Sequence, residues 1–281
     1  MTTIAKTDVL NEWRVSAKFW AKHSATIRSM FAPVTNALIE EACIVKGETV
    51  LDVAGGAGEP SLTIAEAVGP TGSVTCTDAV VEMVAAAESE ARRRRLKNIM
   101  FRQCLADSLP FENDSFDAAV SRLGVMFFPD TLAALREMLR VAKSDGVLSF
   151  AVWDKSELNP FAYIVTDVIS RYVESPPAEP DAPGAFRFAE KGKLASILSD
   201  AGAIDVKERI LKFHIEAPIS PEEFWAMRSE TSDTLRKKLA KLAGEQARVA
   251  QEVRDGVREF FPNNEMSFPA QMLIVTGRKS K

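Results

Sequence analysis

The stretch Thr49-Val50-Leu51-Asp52-Val53-Ala54-Gly55-Gly56-Ala57-Gly58-Glu59-Pro60 constrains this chain most, because an apolar run breaks there into a glycine-rich turn that opens a helical pattern. Glycine lets backbone amides come close to a ligand, and a helix starting just beyond the turn offers unpaired N–H groups and the positive end of its dipole to an anionic group. Pro60 suits the first helical turn, where its missing N–H costs nothing. Strand, small-residue turn and helix in this order make a pocket for an adenosine-bearing ligand.

The turn itself narrows the ligand. A dinucleotide fingerprint starting at Gly56 would need glycine where the chain has Ser61, and the Lys-Ser/Thr pair of a phosphate-binding loop is absent. What remains is Asp52 at the strand end, small residues at Ala54, Gly56 and Gly58, and a second acid, Asp78, closing the apolar run Ser73-Val74-Thr75-Cys76-Thr77. Further on come Leu109-Pro110-Phe111, Ser115-Phe116-Asp117, a strand to Ser121, a helical stretch carrying Arg136, Leu139 and Arg140, and the turn Lys143-Ser144-Asp145-Gly146 before another apolar run.

From Thr49 to Trp153 this order and spacing resemble the class I S-adenosylmethionine-dependent methyltransferases. Asp52-Val53-Ala54-Gly55-Gly56 is similar to the ubiquinone and menaquinone C-methyltransferase group, where alanine commonly replaces the first glycine. The run Arg122 to Asp130 is like that of broader small-molecule methyltransferases. The resemblance implies an α/β fold, a doubly wound, seven-stranded, mostly parallel Rossmann-like sheet, with helical additions forming a cap. It implies S-adenosylmethionine as cofactor and S-adenosylhomocysteine as product. The cofactor contacts that follow are Asp52, Ala54, Gly55, Gly56, Ala57, Asp78, Ala79, Met83, Leu105, Ala106, Asp107 and Arg122. Asp78 is suited to accept hydrogen bonds from both ribose hydroxyls, and is also a natural cap for the helix that follows it. Met83 is expected near the adenine. An ungapped alignment on Leu109-Pro110-Phe111 puts Leu105 where relatives often carry an acid, leaving backbone groups of Leu105 and Ala106, or Asp107, to serve the adenine.

Alternating strands and helices predict a sheet covered on both faces. Strands are expected over Val50 to Ala54, Val74 to Thr77, Ile99 to Cys104, Ala118 to Ser121, Val147 to Val152, Val206 to Ile215 and Gln271 to Gly277, with helices near Ser61 to Val68, Val80 to Arg94 and Thr131 to Ala142. The N-terminal residues 1–48 form an expected cap segment, and residues 49–281 the methyltransferase domain, with insertions at 155–188 and 220–261 on the acceptor side. The first of these insertions holds a helix, Phe161 to Val173, and the proline-rich stretch Ser175 to Gly184. The second carries Phe224, Trp225 and Met227 and then reads as a long amphipathic helix with Leu235, Leu239, Leu242, Val249, Val253 and Phe260 on one stripe.

With 281 residues, 46% of them hydrophobic, the chain can bury a large core. No apolar stretch is long enough to span a membrane, and a cytoplasmic protein is expected. The net charge of −4 gives no attraction to nucleic acid, and Arg92-Arg93-Arg94-Arg95 is expected to be a solvated helix end. Cys43, Cys76 and Cys104 match no metal or redox spacing and are expected to be buried thiols; no metal is implied.

Methyl transfer needs little more than alignment, because the sulfonium is already a strong donor. Should the acceptor have to lose a proton, His23 is the candidate base, with His214, Glu59 and Asp154 as alternatives. The quinone enzymes carry an Arg-Asn pair where this chain has Met126-Phe127, which points away from quinone-ring C-methylation and toward a small, partly hydrophobic acceptor. A cofactor-binding subunit or regulator without transfer activity stays open at this point.

Overall fold

The computed structural model describes residues 3–174, 181–242 and 244–281, with side chains from Leu10 onward. Seven strands form one sheet: β1 (Thr49–Val53), β2 (Ser73–Asp78), β3 (Ile99–Gln103), β4 (Phe116–Arg122), β5 (Ala142–Trp153), β6 (Ile204–Ala217) and β7 (Met266–Arg278), in the order β3-β2-β1-β4-β5-β7-β6. The first five pair in parallel, while β7 runs antiparallel between β5 and β6. The central strands read as unbroken apolar runs because both faces are covered: Val50, Leu51, Ala119, Val120, Leu148 and Phe150 have no exposed surface.

Helices α1 (Thr3–Lys22), α2 (Ser24–Met30) and α3 (Ala32–Glu41) precede the sheet. The crossovers are α4 (Ser61–Val68), α5 (Val81–Arg93) and α6 (Thr131–Val141). Beyond β5 lie α7 (Pro160–Ser170) and α8 (Lys193–Asp200), and between β6 and β7 lie α9 (Pro221–Thr231), α10 (Asp233–Ala240) and α11 (Gln246–Val257). The sheet and its crossovers match the doubly wound plan. Among the described residues no helix is long and apolar enough to cross a membrane.

Motif residues explain one another here. Arg140, at the end of α6, donates to the carbonyls of Leu109 and Phe111, each at 2.8 Å, and Glu137 accepts the Leu109 amide at 3.0 Å. The Leu-Pro-Phe segment is thus clamped to the helix that follows β4, which fixes the loop leaving β3.

Four expectations are corrected. The stripe from Leu235 to Phe260 is divided between α10, α11 and a short 3-10 turn, Arg258–Phe260, rather than carried by one helix, and α9 precedes it as a separate helix. Ser232, at φ −100° and ψ 111°, leaves the helical region and caps α10 by accepting the Leu235 amide, and Gly244 takes φ +87° beyond α10. Pro60 occupies the cap position before α4 rather than a place inside its first turn. The turn Lys143 to Gly146 lies within β5, with Asp145 at φ 64° and a register shift against β4. Cys43 is exposed at the end of α3; Cys76 is buried and Cys104 half-buried. Of the proline-rich stretch, residues 175–180 lie outside the described residues.

Candidate active site

A cavity of about 390 Å³ opens at the carboxyl ends of β1, β2, β3 and β4. Strand order reverses between β1 and β4, where a doubly wound sheet leaves a crevice. The turn after β1 forms one wall. Ala54 and Gly56 both take left-handed backbone angles, φ 60° and 55°, and the Gly55 amide donates to the Thr77 carbonyl at 2.8 Å, drawing the ends of β1 and β2 together. A Cβ on Gly55 would lie 2.7 Å from both the Asp52 Oδ2 and the Cys76 Sγ, whereas one on Gly56 would meet nothing within 4 Å. Gly55 therefore faces packed protein, and Gly56 faces open space.

Asp78 stands beside that space. One carboxylate oxygen accepts the Gly56 amide at 3.0 Å and the other the Val80 amide at 2.9 Å. Burial pushes its pKa up, and these amide hydrogen bonds pull it back. A single acid thus ties the glycine turn to the start of α5. The cap residue of α5 is Val80, so Asp78 holds the entry to the helix from two positions earlier.

Of the twelve expected cofactor contacts, Ala54, Gly55, Gly56, Ala57, Asp78, Ala79, Met83, Leu105, Ala106, Asp107 and Arg122 line the cavity. Asp52 does not. It is fully buried beneath the turn, where Oδ2 accepts the Ser61 hydroxyl at 2.5 Å and the Ser61 amide at 3.1 Å. The start of α4, expected to face a ligand, is satisfied by this carboxylate instead. Burial raises the Asp52 pKa to about 7, opposed by the Ser61 hydrogen bonds and the Arg122 charge.

Arg122, at the end of β4, donates to Thr35 Oγ1 at 2.9 Å and to the Glu59 carbonyl at 3.2 Å, with its guanidinium 5.8 Å from the Phe31 ring. It braces the turn against α3, and burial lowers its pKa.

His23 is not in the cavity wall. Its Nε2 lies 2.6 Å from Glu230 on α9, which also takes Lys22 at 2.7 Å, so the imidazole joins the N-terminal helices to α9. The alternative bases are likewise engaged. Glu59 is paired with Arg94 at 2.8 Å and accepts the Thr63 hydroxyl at 2.7 Å. Asp154 is buried against Gln271 at 2.6 Å, and His214 on β6 contacts Ser267. The arginine run is neutralised largely within its own helix: Arg92 pairs with Glu88, and Arg93 and Arg94 share Glu90. Arg94, far from being solvated, is nearly buried between Glu90 and Glu59.

The remaining walls are largely apolar and come from α1, the residues around Phe31, the ends of β4 and β5, and the segments beyond β5. Trp13 and Trp20 of α1 pack at 5.9 Å, and Trp13 meets Phe127 edge-on at 5.1 Å. Trp153, Phe31 and Phe161 lie deeper, alongside Met227 and Arg228 of α9. Arg228 was missed by sequence reasoning, although it falls on the buried face of its helix, four residues from Phe224 and three from Thr231. Among the described residues no group of three or more His, Cys, Asp or Glu side chains is placed to hold a metal ion.

The cavity fits an adenosine cofactor on its own features: an open-faced left-handed glycine, an acid at the second strand end and Met83 beside it. The fold is the one seen in solved S-adenosylmethionine-dependent methyltransferases. Residues 32–167 match the ubiE/COQ5 methyltransferase family. An uncharacterized protein of Mycobacterium tuberculosis is 35% identical over 137 residues, 48% of either chain. The chain spans about half the length of such curated relatives. A demethylmenaquinone methyltransferase of Geobacillus is 26% identical over 183 residues, covering 62% of this chain and 78% of that one. A solved S-adenosylmethionine-dependent methyltransferase of Aquifex aeolicus superposes with a TM-score of 0.53 at 23% identity, over 70% of this chain and 91% of its own.

Proposed function

We propose that this protein transfers the methyl group of S-adenosylmethionine to a small, partly hydrophobic molecule. One observation carries the reading: the glycine turn and Asp78 open into the same cavity as the aromatic wall of Trp13, Trp20, Phe31, Trp153 and Phe161. A donor held at the first would face an acceptor held at the second. The bound cofactor supplies an electrophilic methyl on a sulfonium sulfur. The chain's own residues bind, orient and exclude water: Asp78 offers lone pairs to the ribose hydroxyls, Met83 and Leu105 offer apolar surface to the adenine, and the aromatics align the acceptor.

His23, Glu59 and Asp154 are each committed to protein partners. Positioning, rather than a side-chain base, is therefore the mechanism we assign. Residues 1–48 serve in this reading as a cap, because α1 brings two tryptophans over the turn. The insertions 155–188 and 220–261 supply Phe161 and Met227 to the same cavity and are assigned to acceptor binding. Free thiols at Cys43, Cys76 and Cys104 suit the reducing cytoplasm.

The test is turnover of methyl-labelled cofactor against a panel of phenols, amines, aromatic acids and quinones. Label transferred to one class identifies the acceptor and the atom methylated. Transfer to the quinones alone would restore the narrower quinone reading, and micromolar cofactor binding without any transfer would make the protein a cofactor-dependent subunit or regulator.

A further inference from the structure

Arg228 stands in the cavity wall as a cation with no hydrogen-bond or carboxylate partner among the described residues. Its guanidinium lies 4.7 Å from the centre of the Phe161 ring, and its Nε is closed off from solvent without a hydrogen bond. No carboxylate forms an ion pair with it among the described residues, and burial alone lowers its pKa, to about 10, so it stays charged at neutral pH. The other arginines near the turn are provided for: Arg122 donates to Thr35 and to a carbonyl, and Arg94 pairs with Glu59 and Glu90. An unpaired charge in an apolar wall is costly, and an aromatic face recovers only part of that cost.

The ring under Arg228 belongs to a flat apolar group. Phe161 stacks on Trp153 at 6.5 Å with an 18° interplanar angle and meets Phe31 edge-on at 6.3 Å. The cavity thus combines planar surfaces with one unmatched guanidinium, whose fork of N–H donors fits two oxygens of a carboxylate.

We propose that Arg228 binds a carboxylate on a flat, apolar methyl acceptor, making the acceptor class an aromatic or conjugated acid. The assignment rests on the cavity being the methyl-transfer site, and it narrows the small, partly hydrophobic acceptor read from Met126-Phe127 to one that carries an acid. A carboxylate could also be brought by the amino-acid end of the cofactor. The acceptor is favoured because Arg228 rises from α9, within the 220–261 insertion, and contacts the aromatic group rather than the glycine turn.

The probes are 2-naphthoate and its uncharged counterpart 2-naphthamide, titrated calorimetrically into the full chain with and without saturating S-adenosylhomocysteine. The acid is expected to bind about tenfold or more tightly than the amide, as a charge-assisted pair would give. Arg228→Gln should abolish that preference while leaving S-adenosylhomocysteine affinity within about twofold, and Arg228→Lys, which keeps the charge without the fork, should retain part of it. Equal binding of acid and amide by the unmodified protein, or binding of neither, overturns the proposal without reference to any variant. Loss of S-adenosylhomocysteine binding in Arg228→Gln, with naphthoate unaffected, overturns it in favour of the cofactor's carboxylate. Failure of the unmodified protein to bind S-adenosylhomocysteine at all is a separate result: it removes the methyl-transfer reading, while the cofactor-free titrations still report whether Arg228 selects an acid.

Discussion

Asp52 and Ser61 close the glycine turn from beneath: one Asp52 oxygen takes both the hydroxyl and the amide of Ser61, while the other is buried with no hydrogen-bond partner among the described residues. Burial raises this carboxyl from an ordinary 3.8 to about 7. The folded state therefore holds a proton that the unfolded chain releases, and stability falls as pH rises from about 4 through about 7. Asp52→Asn keeps an acceptor for Ser61 and removes the titration. Denaturant unfolding should show the variant gaining about 1–3 kcal/mol on the unmodified protein between pH 5 and pH 8. Parallel pH curves would show that Asp52 is ionised throughout.

The two adjacent glycines should fail differently. Gly55→Ala drives a Cβ into Asp52 and Cys76, each 2.7 Å away, and should cost about 1–3 kcal/mol of stability. Gly56→Ala meets no atom but must hold φ 55°, which costs about 1 kcal/mol. Its added methyl enters the cavity side of the turn, so cofactor affinity should suffer more than stability. Thermal unfolding paired with calorimetry separates the two, and equal stability losses would contradict the assignment of their faces.

Asp78→Ala removes the group that holds the Gly56 and Val80 amides and is assigned to the ribose. Cofactor binding should weaken by about 1.5–3 kcal/mol with the fold retained. Were affinity unchanged while the melting temperature fell, Asp78 would be a structural clasp alone.

His23→Ala should leave cofactor affinity and methyl transfer close to normal, since the ring is tied to Glu230 outside the cavity. Its cost should be about 1 kcal/mol or less, because the Glu230 side chain remains 29% exposed. Hydrogen bonds from Lys22 and then His23 hold the Glu230 carboxyl below its ordinary 4.5. That stabilisation is present above this value and is lost as pH falls through the lowered one. A hundredfold loss of transfer with normal cofactor binding would return His23 to the role of base.

The inner parallel strands β1, β2 and β4 were legible because each is buried on both faces and so reads as an apolar run ended by a turn, as at Val50 to Val53. The cavity-lining positions Ala54, Gly56, Ala57, Asp78, Ala79 and Met83 followed from the same motifs. Asp52 did not, because an acid at a strand end looks the same whether it meets a ligand or caps the next helix. The division of 220–261 was hidden for a related reason. Leu235, Leu242, Val249 and Val253 are all buried, and periodicity records which face is buried, not whether the helix is continuous. Gly244, at φ +87° between α10 and α11, was the local signal of the break. Arg228 escaped notice because a lone arginine between apolar residues gives no sign of what it pairs with.

The placing of β7 between β5 and β6 bears on the order in which the molecule is made. During synthesis the β3-β2-β1-β4-β5 half can pair as it emerges, but β6 appears without a neighbour and stays so until Met266 to Arg278 follow. The helices between them, including α9 with Met227 and Arg228, hang in that interval from an unpaired strand. The nascent protein thus completes its five-stranded parallel half first and the wall carrying Met227 and Arg228 last, with β5 and β6 exposed as sticky edges in between. Chaperone engagement on the ribosome should concentrate in that window, and substitutions that weaken β7 should show up as poor yield before they show up as poor activity.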